Sequence, residues 1–306
     1  MNKLNEVADK SVFRKKEFVE KNEKIRFIDG FPVFTIVEFN VYGACNRSCG
    51  FCPVSDPSFY TNKYEGISLD LYTKIMRDLE KIQYAGSLYI SAFSEPFLNK
   101  ELPDLVKISK SILPDVRMEI NSNGDIFKKR TDKLTGLFDA GLDTVTISIY
   151  DGPEAYDDFL KMREMLNLSE SQIVLRRRYF DEKAGDWGIV FSNRAGLANT
   201  KKFEDATTDD VGELPLKRHC HYPFYQTLID YNGDMILCPH DWGKEYIVGN
   251  LVEENLWDLW ISKKYQAARN LLAQKNRNFN PCNKCNVRGD MMGGPNFEAW
   301  TKNNAN

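Results

Sequence analysis

Apolar and polar positions over roughly the first 200 residues fall into an alternating series of strand-like and helix-like stretches. Residues 31–41 (FPVFTIVEFNV) alternate apolar and polar positions with the period of two that buries one face of a strand. LDLYTKIMRDLEKI (69–82) has helical periodicity, and SLYISAF (87–93) is strand-like. The rhythm repeats: LPDLVKISKSIL predicts a helix, and VRMEINSNG (116–124) a strand ending in a turn. DKLTGLFDAGL then leads to DTVTISIY (143–150), and EAYDDFLKMREML to QIVLRRRYF (172–180). This alternation predicts an α/β fold of parallel strands with helical crossovers, as an open sheet or a barrel.

Near residue 197 the rhythm stops. LANTKKFEDATTDDVGELPLKRH has no sustained apolar period and predicts a linker. Two apolar runs then flank Asn232-Gly233 in YQTLIDYNGDMILC (225–238), a strong short-range hairpin signal, and NLWDLWISKKYQAARNLLAQ predicts a helix. The expected organisation is an N-terminal extension (1–31), an α/β domain (32–197), a linker (198–215), a smaller hairpin-plus-helix domain (216–290) and a tail (291–306). The extension is charged, with helical character and no legible chemistry.

The 306 residues carry a net charge of −3, and the isoelectric point is about 5.8. That balance lacks the clustered basic surface of a phosphate-backbone binder, so nucleic acid is not an expected partner. The first residues lack the apolar region of a signal peptide, and no stretch has the length and apolarity of a membrane span. A cytoplasmic protein with no membrane partner is expected.

Seven cysteines change the picture. An odd number without an export signal points to metal or catalytic roles rather than disulfides. Cys45, Cys49 and Cys52 follow the first strand in CNRSCGFC, a CxxxCxxC spacing. Three thiolates can hold three irons of a [4Fe-4S] cube and leave the fourth open to a small ligand, to which a low-potential cluster can deliver an electron. The alternative is a zinc loop completed from elsewhere, although this spacing is unusual for zinc. Cys220, Cys238, Cys282 and Cys285 form a second group, enough to ligate a cluster fully. By themselves they favour a four-thiolate zinc site, for which a CxxC pair with two distant cysteines is common spacing.

The triplet, with Phe51 before its last cysteine, resembles the signature of the radical S-adenosylmethionine (SAM) superfamily. That resemblance implies a partial (β/α)6 barrel with SAM across the C-terminal strand ends. Further segments match the family in order. Phe93-Ser94-Glu95-Pro96 resembles the GGEP element, which implies that Glu95 and the backbone near Ser94 receive the methionine ammonium. Asn121-Ser122-Asn123-Gly124 resembles the element near the SAM ribose, with Asn123 as its contact, and Ser148 stands where relatives turn a polar side chain toward SAM. At most Arg176 and Arg178 share one face of their strand, with Arg177 on the other, and none is assigned a role.

In this context Cys220, the hairpin ending in Cys238, the Gly249-Asn250 step, the helix with Trp257 and Trp260, and the Cys282/Cys285 pair resemble the twitch form of a SPASM domain. That form implies one auxiliary [4Fe-4S] cluster, giving two [4Fe-4S] clusters and SAM as cofactors. His219, His221 and His240 flank these cysteines and are expected to pack beside them rather than ligate. Phe191–Gly196 resembles a segment of small radical SAM dehydrogenases of aminocyclitols, which implies that Arg194 lies at the substrate and helps remove a hydroxyl proton.

The implied reaction takes a hydrogen atom from a carbinol carbon of a small polar substrate and passes the surplus electron to the auxiliary cluster, giving a ketone. A flavodoxin- or ferredoxin-type donor is the expected electron partner. Epimerisation or peptide modification with the same cofactors is the alternative. Radical epimerases commonly use a cysteine hydrogen donor, and here all seven are claimed by clusters.

Overall fold

The computed structural model describes residues 10–20, 25–189, 191–198 and 213–303; most of the expected linker lies outside the described residues. Ten strands and ten helices follow in chain order within them. Helix α1 (Lys10–Glu20) precedes a small ribbon of β1 (Phe27–Ile28) and β2 (Phe31–Pro32). The α/β series is β3 (Ile36–Asn40), α2 (Leu69–Lys81), β4 (Ser87–Ile90), α3 (Leu102–Ile112), β5 (Arg117–Ser122), α4 (Asp125–Lys129), α5 (Thr131–Asp139), β6 (Thr144–Ile149), α6 (Pro153–Met165) and β7 (Ile173–Arg177). The chain then forms α7 (Tyr222–Tyr225), β8 (Gln226–Asp230), β9 (Asp234–Ile236), β10 (Ile247–Asn250), α8 (Leu256–Trp260), α9 (Lys263–Ala273) and α10 (Gly294–Asn303). Among the described residues no helix is long and apolar enough to cross a membrane.

Strands β3 to β7 pair in sequence order, all parallel, and β8 joins the other edge of β3, again parallel. Six parallel strands with helices α2, α3, α5 and α6 against them form the partial barrel. The hairpin of β8 and β9, with β10 beside it, extends the same sheet. The smaller C-terminal unit therefore shares its first strand with the barrel: Ile36 stands opposite Gln226 and Asn40 opposite Asp230.

Strand alternation sorts the chemistry. Val37, Phe39, Leu88, Ile90, Met118, Ile120, Val145, Ile147, Ile173 and Leu175 enter the main apolar core under the helices. Their neighbours point to the opposite face. Glu38, Asn40, Ser91, Glu119, Asn121, Thr146, Ser148 and Arg176 thus share the concave side of the barrel.

Two expectations change in detail. The single strand expected over 31–41 is split into β2 and β3, with Thr35 donating its N–H to the Tyr225 carbonyl between them. The long helix expected from Asn255 is two helices. Ser262 lies in extended backbone and its side chain accepts the Tyr265 N–H, capping α9 and ending α8.

Helix α1 gives the N-terminal extension a place. Arg14 donates to Thr144 Oγ1 at 3.2 Å and lies 3.5 Å from Glu119; Lys15 lies 3.6 Å from Glu38. Val19 is buried against Ile36, Tyr89 and Tyr225. The helix thereby supplies cations to carboxylates on the concave face, where an unpaired buried charge would be costly.

Candidate active site

Cys45, Cys49 and Cys52 lie on the loop after β3. Asn62 grips its start: Cys45 N–H donates to Asn62 Oδ1 at 2.9 Å, and Asn62 Nδ2 donates to the Cys45 carbonyl at 3.1 Å. Arg47 reaches across the barrel mouth, with Nε donating to Asp125 Oδ2 at 2.7 Å and Nη1 to Asp151 Oδ1 at 2.8 Å. These carboxylates hold its pKa above the ordinary arginine value. Phe51 packs between Tyr150 and Phe191, with centroids 5.8 and 5.1 Å away. The loop is thus fastened to the ends of β5 and β6 through side chains within CNRSCGFC.

Glu95 is buried at the end of the β4 segment. It accepts the Asn123 N–H at 2.8 Å, the Ser122 hydroxyl at 2.7 Å and the Phe97 N–H at 3.1 Å. Burial nevertheless dominates and raises its carboxyl to about 7. An arriving cation would favour its ionised form.

A cavity of about 280 Å³ collects most of the residues singled out in the sequence. Cys45, Cys49, Cys52, Ser94, Glu95, Asn123, Ser148 and Arg194 all line it. Ser94 donates its hydroxyl to Asn40 Oδ1 at 2.7 Å. Asn123 is a hub: its Nδ2 donates to Asn46 Oδ1 at 2.8 Å, and its Oδ1 accepts the Asp125 N–H at 3.0 Å. It therefore ties the cysteine loop to α4 as well as facing the cavity. Arg176 and Arg178 line the cavity, whereas Arg177 turns to Asp186. A wider open groove of about 1000 Å³ lies beside it, against Asn46, Lys128 and Lys161, and none of the cysteines lines it.

Arg194 enters from a tight turn with φ of 48°, followed by Ala195 at 55°. Left-handed backbone is uncommon for such residues and persists only where the surroundings enforce it. Arg194 Nη1 lies 3.5 Å from His240 Nδ1, and its guanidinium faces the Trp242 ring at 5.9 Å.

The second cysteine group gathers beside this cavity. Cys238 is half-buried by its exposure, and the other three thiols add their repulsion to desolvation in pushing its pKa well up. Burial likewise raises Cys45 to about 11, Cys49 to about 12 and Cys285 to about 11. Such thiols stay protonated when free and release their protons to a metal. Among the described residues no three His, Cys, Asp or Glu side chains are drawn close enough to share a single metal ion.

Lys15, Glu38, Arg47, Tyr222 and Trp242 also line the cavity without being singled out by the sequence, and His240, expected only to pack beside the cysteines, lines it too. His240 follows Cys238 by two residues and Tyr222 follows Cys220 by two, which was the available signal. His219 and His221 do pack beside the cysteines, against Phe297.

Comparison with known proteins follows the same division. A model of the radical SAM superfamily matches residues 39–169, and a model of the SPASM iron–sulfur cluster-binding domain matches residues 220–286. The S-adenosyl-L-methionine-dependent 2-deoxy-scyllo-inosamine dehydrogenase of Niallia circulans is 26% identical over 83% of this chain and 93% of its own. A GTP 3',8-cyclase from Chlorobaculum tepidum is 27% identical over 37% of this chain and 32% of its own. The crystal structure of BtrN in complex with AdoMet and 2-DOIA superposes with a TM-score of 0.66 at 22% identity, covering 86% of this chain and 96% of that one. Residues 39–169 thus form a radical SAM domain, with a SPASM-type domain behind its partial barrel, and the cofactors are SAM, a [4Fe-4S] cluster and an auxiliary iron–sulfur cluster.

Proposed function

We propose that this chain oxidises a secondary alcohol of a small polar substrate, such as an aminocyclitol or a sugar, to a ketone. One observation carries the reading. The cavity is lined by Cys45, Cys49, Cys52 and Glu95, and also by Tyr222, Pro239 and His240, which lie within two residues of Cys220 and Cys238. A substrate held there would be near both cysteine groups, as hydrogen abstraction followed by electron removal requires. The name of the Niallia circulans relative, a SAM-dependent dehydrogenase of an aminocyclitol, supports the same chemistry.

In this reading Cys45, Cys49 and Cys52 ligate the cluster that opens to SAM, and Cys220, Cys238, Cys282 and Cys285 ligate an auxiliary [4Fe-4S] cluster. When bound, these groups supply a hydrogen-abstracting carbon radical and an acceptor for the electron left on the substrate as its hydroxyl proton departs. Glu95 pairs with the methionine ammonium of SAM, while Ser94, Asn123 and Ser148 line the rest of its seat. Arg194 holds the substrate oxygen. Its guanidinium has only donors and cannot accept that proton, so Arg194 acts by stabilising negative charge on that oxygen as the proton passes to water. Its contacts with His240 and Trp242 aim it across the cavity. A flavodoxin- or ferredoxin-type protein supplies the electron that starts each turnover.

The test is an anaerobic screen of aminocyclitols and sugars deuterated at their carbinol carbons. Deuterium in 5′-deoxyadenosine together with an equivalent of ketone supports the reading. Deuterium transfer with inverted alcohol as the only product would replace oxidation by epimerisation.

A further inference from the structure

Arg277 lies between α9 and Cys282 and is 2% exposed. Its Nε donates to the Arg218 carbonyl at 3.1 Å, and Nη1 to that of Val287 at 2.6 Å. Nη2 donates to the carbonyls of His219 at 2.6 Å and Arg288 at 2.5 Å. One guanidinium therefore ties the segment entering Cys220 to the segment leaving Cys285. All four acceptors are backbone carbonyls; Asp290, which also acts on Cys220, pairs with Arg218 and Arg288 instead.

The charge faces sulfur. The packing at Gly289 fixes how close it comes. A Cβ there would meet Cys220 Sγ at 2.5 Å and Arg277 Nη2 at 3.1 Å, so the thiol and the guanidinium press on the same glycine. Gly289 has a φ of 80°, and its carbonyl accepts the His221 N–H at 2.7 Å, which closes the Cys220 segment onto the same strand of chain.

We propose that Arg277 is a positioning residue of the auxiliary iron–sulfur centre, holding the Cys220 and Cys285 segments together, and that its charge raises the reduction potential of the cluster bound there. The physical reason is that reduction adds a negative charge, and a buried cation beside the ligating sulfurs stabilises the reduced form. A raised potential suits a centre that accepts an electron. This inference rests on the assignment of the four C-terminal cysteines to a cluster.

The experiment uses the full chain with Cys45, Cys49 and Cys52 changed to Ala, so that only the auxiliary cluster is read. After anaerobic reconstitution this background is expected to bind about four irons. Adding Arg277→Gln is expected to move the midpoint of an EPR-monitored redox titration to more negative potential. Arg277→Lys keeps the charge but cannot span four carbonyls. It is expected to hold the midpoint nearer the parent value while losing iron faster to a chelator. Unchanged midpoints and chelation rates in both variants would overturn the proposal. Should the Gln variant fail to fold, the Lys variant still decides, since iron retained as long as in the parent removes the positioning role. A background with Arg277 intact that binds no iron–sulfur cluster means that the cysteine assignment itself has failed, and the proposal falls with it.

Discussion

Asn193 and Asn286 exchange two hydrogen bonds: Asn193 N–H donates to Asn286 Oδ1 at 2.8 Å, and Asn286 N–H donates to Asn193 Oδ1 at 3.2 Å. The residue before Arg194 is thus latched to the residue after Cys285. Asn193 Nδ2 adds a third bond to the Lys284 carbonyl at 2.7 Å. The turn that aims Arg194 is fixed by the segment that carries the second cysteine group. Asn286→Ala removes an acceptor and leaves the Asn193 N–H without its partner. At about 1 kcal/mol per net hydrogen bond, substrate KM is expected to rise roughly five- to tenfold. SAM cleavage without substrate should stay at the parent rate, and paired assays of ketone and 5′-deoxyadenosine check both.

The two cysteine groups are expected to separate under mutation. Cys45→Ala, Cys49→Ala or Cys52→Ala should each abolish 5′-deoxyadenosine formation, because the cluster that opens to SAM is lost. Cys238→Ala should spare SAM cleavage and block ketone formation. A Cys238 variant that still oxidised substrate at the parent rate would remove the electron-acceptor role of the second group.

Glu95 gives a pH dependence whose sign follows from its burial. Its carboxyl is raised from the ordinary 4.5 to about 7, chiefly by desolvation. Below about 7 the folded chain holds it neutral, unable to pair with an ammonium. SAM affinity is therefore expected to strengthen between pH 6 and pH 8. The same shift means the folded state retains a proton that the unfolded chain releases, so this group's contribution to stability falls as pH rises from about 4.5 to about 7. Glu95→Gln should flatten the affinity profile and weaken SAM binding by about 1.5–3 kcal/mol, the scale of a hydrogen bond to a charged group. Equilibrium binding across that pH range is the measurement.

Arg47 fastens the cysteine loop to Asp125 and Asp151, and Asp151 is more than half exposed. Its contribution should therefore appear in cluster retention more than in global stability. Arg47→Ala is expected to release iron from the first site faster under a chelator while Cys220, Cys238, Cys282 and Cys285 keep theirs. Iron and sulfide content after timed chelation separates the two.

Gly124 ends the β5 segment with a φ of 81°, and a Cβ there would meet the Phe159 ring at 2.4 Å. Gly124→Ala therefore combines left-handed backbone, costing about 1 kcal/mol, with overpacking of about 1–3 kcal/mol. A lowered thermal midpoint is the expected outcome. An unchanged midpoint would mean that the Phe159 ring moves aside freely.

Much of the site was legible because its signals are local. CNRSCGFC, the residues around Glu95 and Asn123-Gly124 each follow a strand whose period-two pattern can be read from the residues themselves. Once those strands lie side by side, their loops meet at one end and their polar members share the concave face. Ser262 shows a local signal passed over: a serine ahead of KKYQ is an N-cap, and it divides the helix that periodicity alone joined. Lys15 shows a signal that was never local. Nothing in VFRKKEF says that one of its lysines will stand beside Glu38.

The sequence by itself determined the strands of the α/β series and the hairpin around Asn232-Gly233, which of their residues share a face, and that seven thiols stand in groups of three and four. Only the tertiary structure decided that β8 closes onto β3, that α1 brings cations to Glu38 and Glu119, that Asn193 meets Asn286, and that Arg277 spans two cysteine segments. The reason is physical. Periodicity records how each residue meets neighbours a few positions away, whereas the closure of β3 on β8 joins residues such as Asn40 and Asp230, 190 positions apart, through hydrogen bonds that any strand backbone can make.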